Sequence, residues 1–360
     1  MNYRQAIMLD HESIADSGTR SLDVTLKDVI SRLCIQIKGT NSNVVPTAHP
    51  SAIISKIEIV DGSDVLFGLS GKELLADQFF SQKKTPFVIN NYLNGVMCVT
   101  TFEIMFGRFL YDPLYAFDPT KFKNPQIKIT HNRASGGAAC SAGTMDIIAD
   151  IFDEKSVSPV GFLMKKEHVS YTLDAGANEY IDLPVDYNMR KLIIMSHAAD
   201  KQPWEQFNEV KLSEDNDKRI PVNDKTSDLL KYFGAQFPRI RESIEGATAN
   251  STKDFFVMST YEIELAGMAM GNAGAYLKSD YMYGGNIDLR SSIACNFKAL
   301  IEGSAPFGAL CIPFGLQDDP EDWYKLADIG NLRLTIKAGA TPLSNSTCEI
   351  VTEQLRPYAA

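Results

Sequence analysis

No run of about 18 apolar residues occurs in the chain, so no segment reads as a membrane-spanning helix. The opening stretch, MNYRQAIMLDHESIADSGTR, has neither the apolar centre of a signal peptide nor a basic tract. Histidine is scarce: His11, His49, His131, His168 and His197 are scattered, with no HxH or HExxH spacing. A cupin-type metal centre needs a clustered His pair with a carboxylate, and no such pair is supplied locally. The six cysteines, Cys34, Cys98, Cys140, Cys295, Cys311 and Cys348, share no CxxC spacing. Cys34 and Cys348 sit within apolar strand patterns and read as small buried hydrophobes in a reducing compartment, with a disulfide left open. Positive charge is short too. The formal net charge is −10, which gives no global attraction to nucleic acid phosphate. Basic residues gather only in pairs such as Lys83-Lys84 and Lys165-Lys166, which read as solvated charge.

Motifs that carry chemistry are missing as well. The Gly-rich pieces Ser135–Ala138 and Gly271–Gly274 lack a P-loop Lys and read as flexible loops. No GxSxG elbow is present. The acidic runs Glu214–Asp217 and Asp318–Asp322 do not keep the EF-hand alternation and read as turns. Asn-x-Ser/Thr triplets at Asn250 and Asn345 matter only in a secretory pathway. The sequence therefore leads us to expect no catalytic, cofactor-binding or metal-ligating residues and no enzyme. Paired carboxylates of the glycosidase kind stay open, because such partners need not be close in sequence.

What the chain does contain is a repeat. Leu22, Val24, Leu26, Leu33 and Ile35 align without a gap on Ile181, Leu183, Val185, Leu192 and Ile194, an offset of 159 from Leu22 to Ile181. Apolar residues at every second position mark strands with one buried face. Ile57-Glu58-Ile59 before Asp61–Asp64 matches Val210-Lys211-Leu212 before Glu214–Asp217, and both are strand-then-turn patterns. A helix follows in each copy. Ser70 and Glu73 have capping-box spacing, and Thr226-Ser227-Asp228 leads a second helix stopped by Pro238. Late in each half, Gln126–Thr130 matches Asn331–Thr335 at an offset of 205 from Ile127 to Leu332. Ile147 then matches Ile350 at 203. Asp118-Pro119 and Asp319-Pro320 mark similar turns upstream. A repeat this long is a duplicated domain, not a solenoid.

The growth in offset places an insertion in the second copy, within about 240–300. The aromatics Phe102, Phe106, Phe109, Tyr111 and Tyr115 in one half, and Phe307, Phe314, Trp323 and Tyr324 in the other, occupy matching places. That argues for a shared core role over a sugar-stacking surface. Trp204 is expected to anchor the loop before the second hairpin, and Gly161–Lys166 to connect the halves. The fold class is all-β: two tandem eight-stranded jelly-roll β-sandwiches with short flanking helices, a double jelly roll. The first occupies 1–160 with the N-terminal segment, the second 161–360 with the insertion around 240–300.

Several stretches carry a family likeness. They are SAIISKIEIVDGSDVLFGLSG (51–71), FGRFLYDPLYAFDPTKFKNPQIKITHN (106–132), GFLMKKEHVSYTL (161–173), EYIDLPVDY (179–187) and QPWEQFNEVKLSEDNDKRIPVNDKTSDLLKYF (202–233). With them the chain resembles the double jelly-roll major capsid proteins of tailless icosahedral viruses, nearest to the tectivirus and corticovirus kind that infect prokaryotes. The resemblance spans essentially the whole chain and implies a capsid protein of the virion, made in the host cytoplasm. It implies a homotrimer with a pseudo-hexagonal outline that meets neighbouring trimers and tiles a shell. It further implies minor capsid or penton proteins and an internal viral membrane as partners, with no sequence-specific nucleic acid binding. In such a protein Met268–Tyr283 belongs to a tower packed within the trimer. Two other readings remain: a carbohydrate- or receptor-binding β-sandwich, and an enzyme of bicupin or two-domain glycosidase type.

Overall fold

The computed structural model describes residues 2–358 apart from 155, 250 and 280, so the triplet at Asn250 lies outside the described residues. The first half supplies β1 (Tyr3–Ser13), β2 (Ser17–Asp23), β3 (Ile30–Asn41), β4 (Ile54–Asp61), β5 (Asp64–Leu69), helix α1 (Gly71–Gln82), β6 (Val88–Asn91), β7 (Met97–Met105), β8 (Pro125–Asn132) and β9 (Cys140–Phe152). The second half begins with β10 (Gly161–Thr172), β11 (Asn178–Leu183), β12 (Met189–Met195), α2 (Pro203–Gln206), β13 (Phe207–Glu214), β14 (Arg219–Lys225) and α3 (Thr226–Gly234). Then come β15 (Ile240–Thr248), β16 (Lys253–Phe256), β17 (Ser259–Met270), β18 (Leu277–Lys278), β19 (Met282–Tyr283), β20 (Asn286–Ser291) and β21 (Cys295–Pro306). The order finishes with β22 (Ala309–Pro313), β23 (Leu332–Ala338) and β24 (Thr347–Pro357).

Sheet order repeats between the halves. The first contains β1-β9-β3-β7 and β2-β8-β4-β5, the second β10-β24-β12-β22 and β11-β23-β13-β14. With β6 and the strands between α3 and β22 set aside, each half can be numbered one to eight. Both then read 1-8-3-6 and 2-7-4-5, the strand order of a jelly roll. The chain is an all-β double jelly roll. Alternation drives each sandwich. In β3, Leu33, Ile35 and Ile37 are buried while Arg32, Cys34, Gln36 and Lys38 are half-buried. Each buried aliphatic side chain contributes about 1.5–3 kcal/mol.

The repeat holds at the level of register. Ile35 faces Ile147 across β3 and β9, and their counterparts Ile194 and Ile350 face each other across β12 and β24. Ile127 faces both Leu22 and Ile59, whereas Leu334 faces both Ile181 and Leu212. The late strand therefore aligns Ile127 with Leu334, two residues beyond the Leu332 expected from sequence. A slip of two keeps every side chain on its own face, so alternation alone does not reveal it. The turns match as well: Asp118 accepts from Thr120 N at 3.0 Å, and Asp319 from Glu321 N at 3.1 Å. Ser70 and Glu73 close the expected capping box on α1. Helix α3 ends at Gly234, before Pro238.

Two parallel strand contacts join the halves. Gly68 of β5 faces Lys166 of β10, which makes the second sheet of one roll continuous with the first sheet of the other. Asn90 and Asn91 of β6 face Ile244 and Glu245 of β15, so the strands after α3 extend the first half's other sheet through β15-β21-β17. Phe255, Val257, Ile287, Leu289 and Phe297 give that segment its own small core, which also takes Tyr92 and Ala138 from the first half. Met268 and Tyr276 are exposed, whereas Leu277 is buried.

Candidate functional site at the junction of the two rolls

Strand β12, Met189–Met195, is buried along its whole length. Leu192 and Ile194 enter the second roll's core, while Ile193 and Met195 join the first roll's core on the opposite face. A strand covered on both faces loses the alternation that sequence reading relies on. The same holds for Gly161–Lys165 at the start of β10, all buried. Residues 161–166 are therefore not a connector but the first strand of the second roll. The Lys165-Lys166 pair is likewise not simply solvated: Lys165 is 1% exposed.

Register places Lys165 opposite Glu353, and Glu353 opposite Lys191, in one row across three strands. Asp77 reaches this row from α1 of the first roll. Its carboxylate accepts from Lys165 Nζ at 2.7 Å and pairs with Lys191 Nζ at 2.7 Å on its other oxygen. Glu353 pairs with Lys191 at 2.9 Å and with Arg190 at 2.5 Å, and lies 3.6 Å from Lys165. Lys191 also donates to Ser81 Oγ. Burial alone pushes the Glu353 carboxyl up, but Lys191, Lys165 and Arg190 outweigh it and hold it well below its ordinary range. Burial lowers the Lys191 ammonium, and Asp77 with Glu353 reverse the sign. Mutual pairing of this kind is what allows charges to remain in a dry interior. The signal in the sequence was a charge within each apolar strand run, in FLMKK, MRKLIIM and IVTEQL. Only the register shows that these charges meet.

A second buried polar group is centred on His49. His49 Nδ1 accepts from Ser51 N at 3.2 Å, so its Nε2 carries the proton offered to Glu242 at 3.1 Å. Glu242 also accepts from Met258 N at 2.6 Å. Phe307 places its ring 5.2 Å from His49 and 5.6 Å from His197. His197 Nδ1 is 2.9 Å from Lys72 Nζ, and burial, with Lys72 and His49 nearby, pushes its imidazole well below the ordinary value. Burial raises the Glu73 carboxyl to about 8 and that of Glu349 to about 7, with Glu167 adding to both. Arg356 clamps Asp64 with two hydrogen bonds and pulls that carboxyl down.

The remaining features from sequence fall in structural places. Asp10, His11 and Asp146 converge on the surface, but Lys38 Nζ already sits 2.9 Å from Asp146. Glu214–Asp217 ends one strand and turns toward the next, with Asp215, Asn216 and Asp217 at left-handed φ. Ser135–Ala138 is a packed turn, not a flexible loop: a Cβ on Gly136 would meet Ile53 at 2.8 Å. Phe102, Phe106, Tyr115, Phe307 and Trp323 are buried, and Phe109 is exposed, so the matched aromatics mostly fill cores. Trp204 packs edge-on to Tyr261 at 5.6 Å. Cys98 and Cys140 bring their sulfurs to 3.7 Å, and Cys348 is buried.

One face of the extended sheet carries exposed apolar residues. Ile89 faces Val99, Ser243 faces Leu300, and Leu300 faces Gly267. Ile89 and Leu300 are exposed, as is Met97 nearby. Ion pairs lie on the same face: Glu245 with Lys298 at 2.6 Å and Arg241 with Glu302 at 3.0 Å.

No protein-family model matches the chain, and no curated protein is similar to it in sequence. Solved structures are similar in fold. The "STIV MCP" superposes with a TM-score of 0.61 at 10% identity, covering 99% of this chain and 97% of that one. The major capsid protein P2 from Bacteriophage PM2 gives 0.57 at 12% identity, covering 99% and 98%. PBCV-1 VP54, from a fit into a reconstruction of the virophage Sputnik, gives 0.57 at 11%, covering 98% and 93%. The chain thus has, end to end, the fold of the double jelly-roll major capsid proteins.

Proposed function

We propose that this chain is a structural major capsid protein that forms a homotrimer and tiles an icosahedral shell. The observation that carries the reading is the repetition of one strand order in both halves, with opposed residues matched. That repetition runs through a fold shared over nearly the full length of two capsid proteins. We divide the chain into a first roll over 1–160 and a second over 161–360. Two nearly equivalent sides per chain let three chains approximate a hexagon, the outline that packs a facet. Closed three-fold symmetry requires a heterologous contact, one patch against a different one. The exposed Ile89 and Leu300, with ion pairs on the same face, have the composition of such a contact. Minor vertex proteins and an internal membrane are the further partners this reading carries, and enzymatic activity has no place in it. Light scattering on the purified protein tests it: we expect three times the chain mass, and a stable monomer at all concentrations contradicts it.

A further inference from the structure

Lys165, Asp77 and Glu353 make an arrangement that the shell reading does not use. An amine and a carboxylate are in contact at 2.7 Å, with a second carboxylate 3.6 Å from the amine. All three side chains are at most 2% exposed. The pair joins α1 of the first roll to β10 of the second, 88 residues apart. Three cations share this pocket with two carboxylates, so one surplus proton is held in a dry interior, where charge is costly. The two lysines are not equivalent. Lys191 donates to Ser81 and is ion-paired with both Asp77 and Glu353. Among the described residues Lys165 makes one hydrogen bond, to Asp77. Its amine is thus committed to one carboxylate, the one it would join.

We propose that Lys165 and Asp77 condense to an intramolecular isopeptide bond that ties the two rolls together covalently. The Lys165 ammonium gives a proton to the Asp77 carboxylate along the 2.7 Å hydrogen bond between them. The freed lone pair attacks Cγ, while Lys191 steadies the charge that gathers on Oδ1. A second proton leaves the nitrogen through Glu353 to the departing hydroxyl, the Cγ–O bond breaks, and water is expelled. Ammonium plus carboxylate become amide plus water, with no outside reagent. Two facts favour the reaction here. The partners are held at reacting distance, which removes the entropic cost of bringing them together. The product also replaces a buried ion pair by a neutral amide.

Mass spectrometry of the folded protein, denatured in acid immediately before injection, is the test. We expect an intact chain lighter by one water molecule, and after proteolysis a branched peptide joining Asp77 to Lys165. Asp77→Ala and Lys165→Arg should keep the full mass, and Glu353→Gln should retain most of its water. A wild-type chain of full mass overturns the proposal, as does water lost at any other pair of residues. The measurement is made on single denatured chains, so its outcome is independent of whether the protein trimerises.

Discussion

Glu353 shows what one residue contributes at the junction. It pairs with both Lys191 and Arg190 in a site with almost no solvent. Glu353→Leu leaves those cations without it, and breaking a buried pair costs about 3–5 kcal/mol. We expect that loss as a lower midpoint in urea denaturation, and an unchanged midpoint contradicts the role given to this carboxylate. Ser70 is a milder case. Its hydroxyl caps α1 through Glu73 N, and Ser70→Ala should cost about 1 kcal/mol in the same measurement. Glu73 and Glu349 give a signed pH dependence. Both carboxyls are raised by burial from 4.5, to about 8 and about 7, with Glu167 on β10 adding to both and Lys72 on α1 opposing the rise of Glu349. The folded chain thus keeps protons that the unfolded chain releases. Their stabilisation is full below the ordinary carboxyl range and is lost as pH rises toward 8. Thermal midpoints across that window should fall with rising pH. In Glu73→Gln the fall should shrink, and an equal slope in the variant sinks the assignment.

Elements were the scale at which the sequence was most legible. Strands with one solvated face announced themselves by alternation, and each strand matched between the halves is present in the structure. The two-residue error at Leu332 and Leu334 arose because a slip of one pleat repeat leaves the apolar pattern intact. The misreading of Gly161–Lys166 had a different cause. A strand buried on both faces has no alternation to read, and its lysine belongs to a partner helix 88 residues earlier. The ion row was illegible for the same reason: its members come from α1, β10, β12 and β24, and only three-dimensional register unites them. Nor does the sequence order reveal that β15 would pair with β6 of the other half. That pairing brings the exposed Ile89 and Leu300 onto one sheet, and they support a prediction of their own. Leu300→Glu and Ile89→Glu should leave the fold intact by circular dichroism and abolish the trimer in sedimentation velocity. A trimer that survives both substitutions moves the contact elsewhere on the molecule.

At the scale of the whole molecule, the two rolls are near-equivalents. One jelly roll gives a subunit a single kind of side, whereas two rolls in one chain give it two sides that are alike but distinguishable. The continuous sheet through β5 and β10 joins the two rolls, and in the proposed trimer three such pairs close a ring. Electron cryomicroscopy of the purified protein reads this most directly. We expect three-fold particles whose six lobes, two from each chain, approximate a hexagon. Particles with two lobes only, or assemblies in which the lobes do not alternate around a closed ring, contradict it.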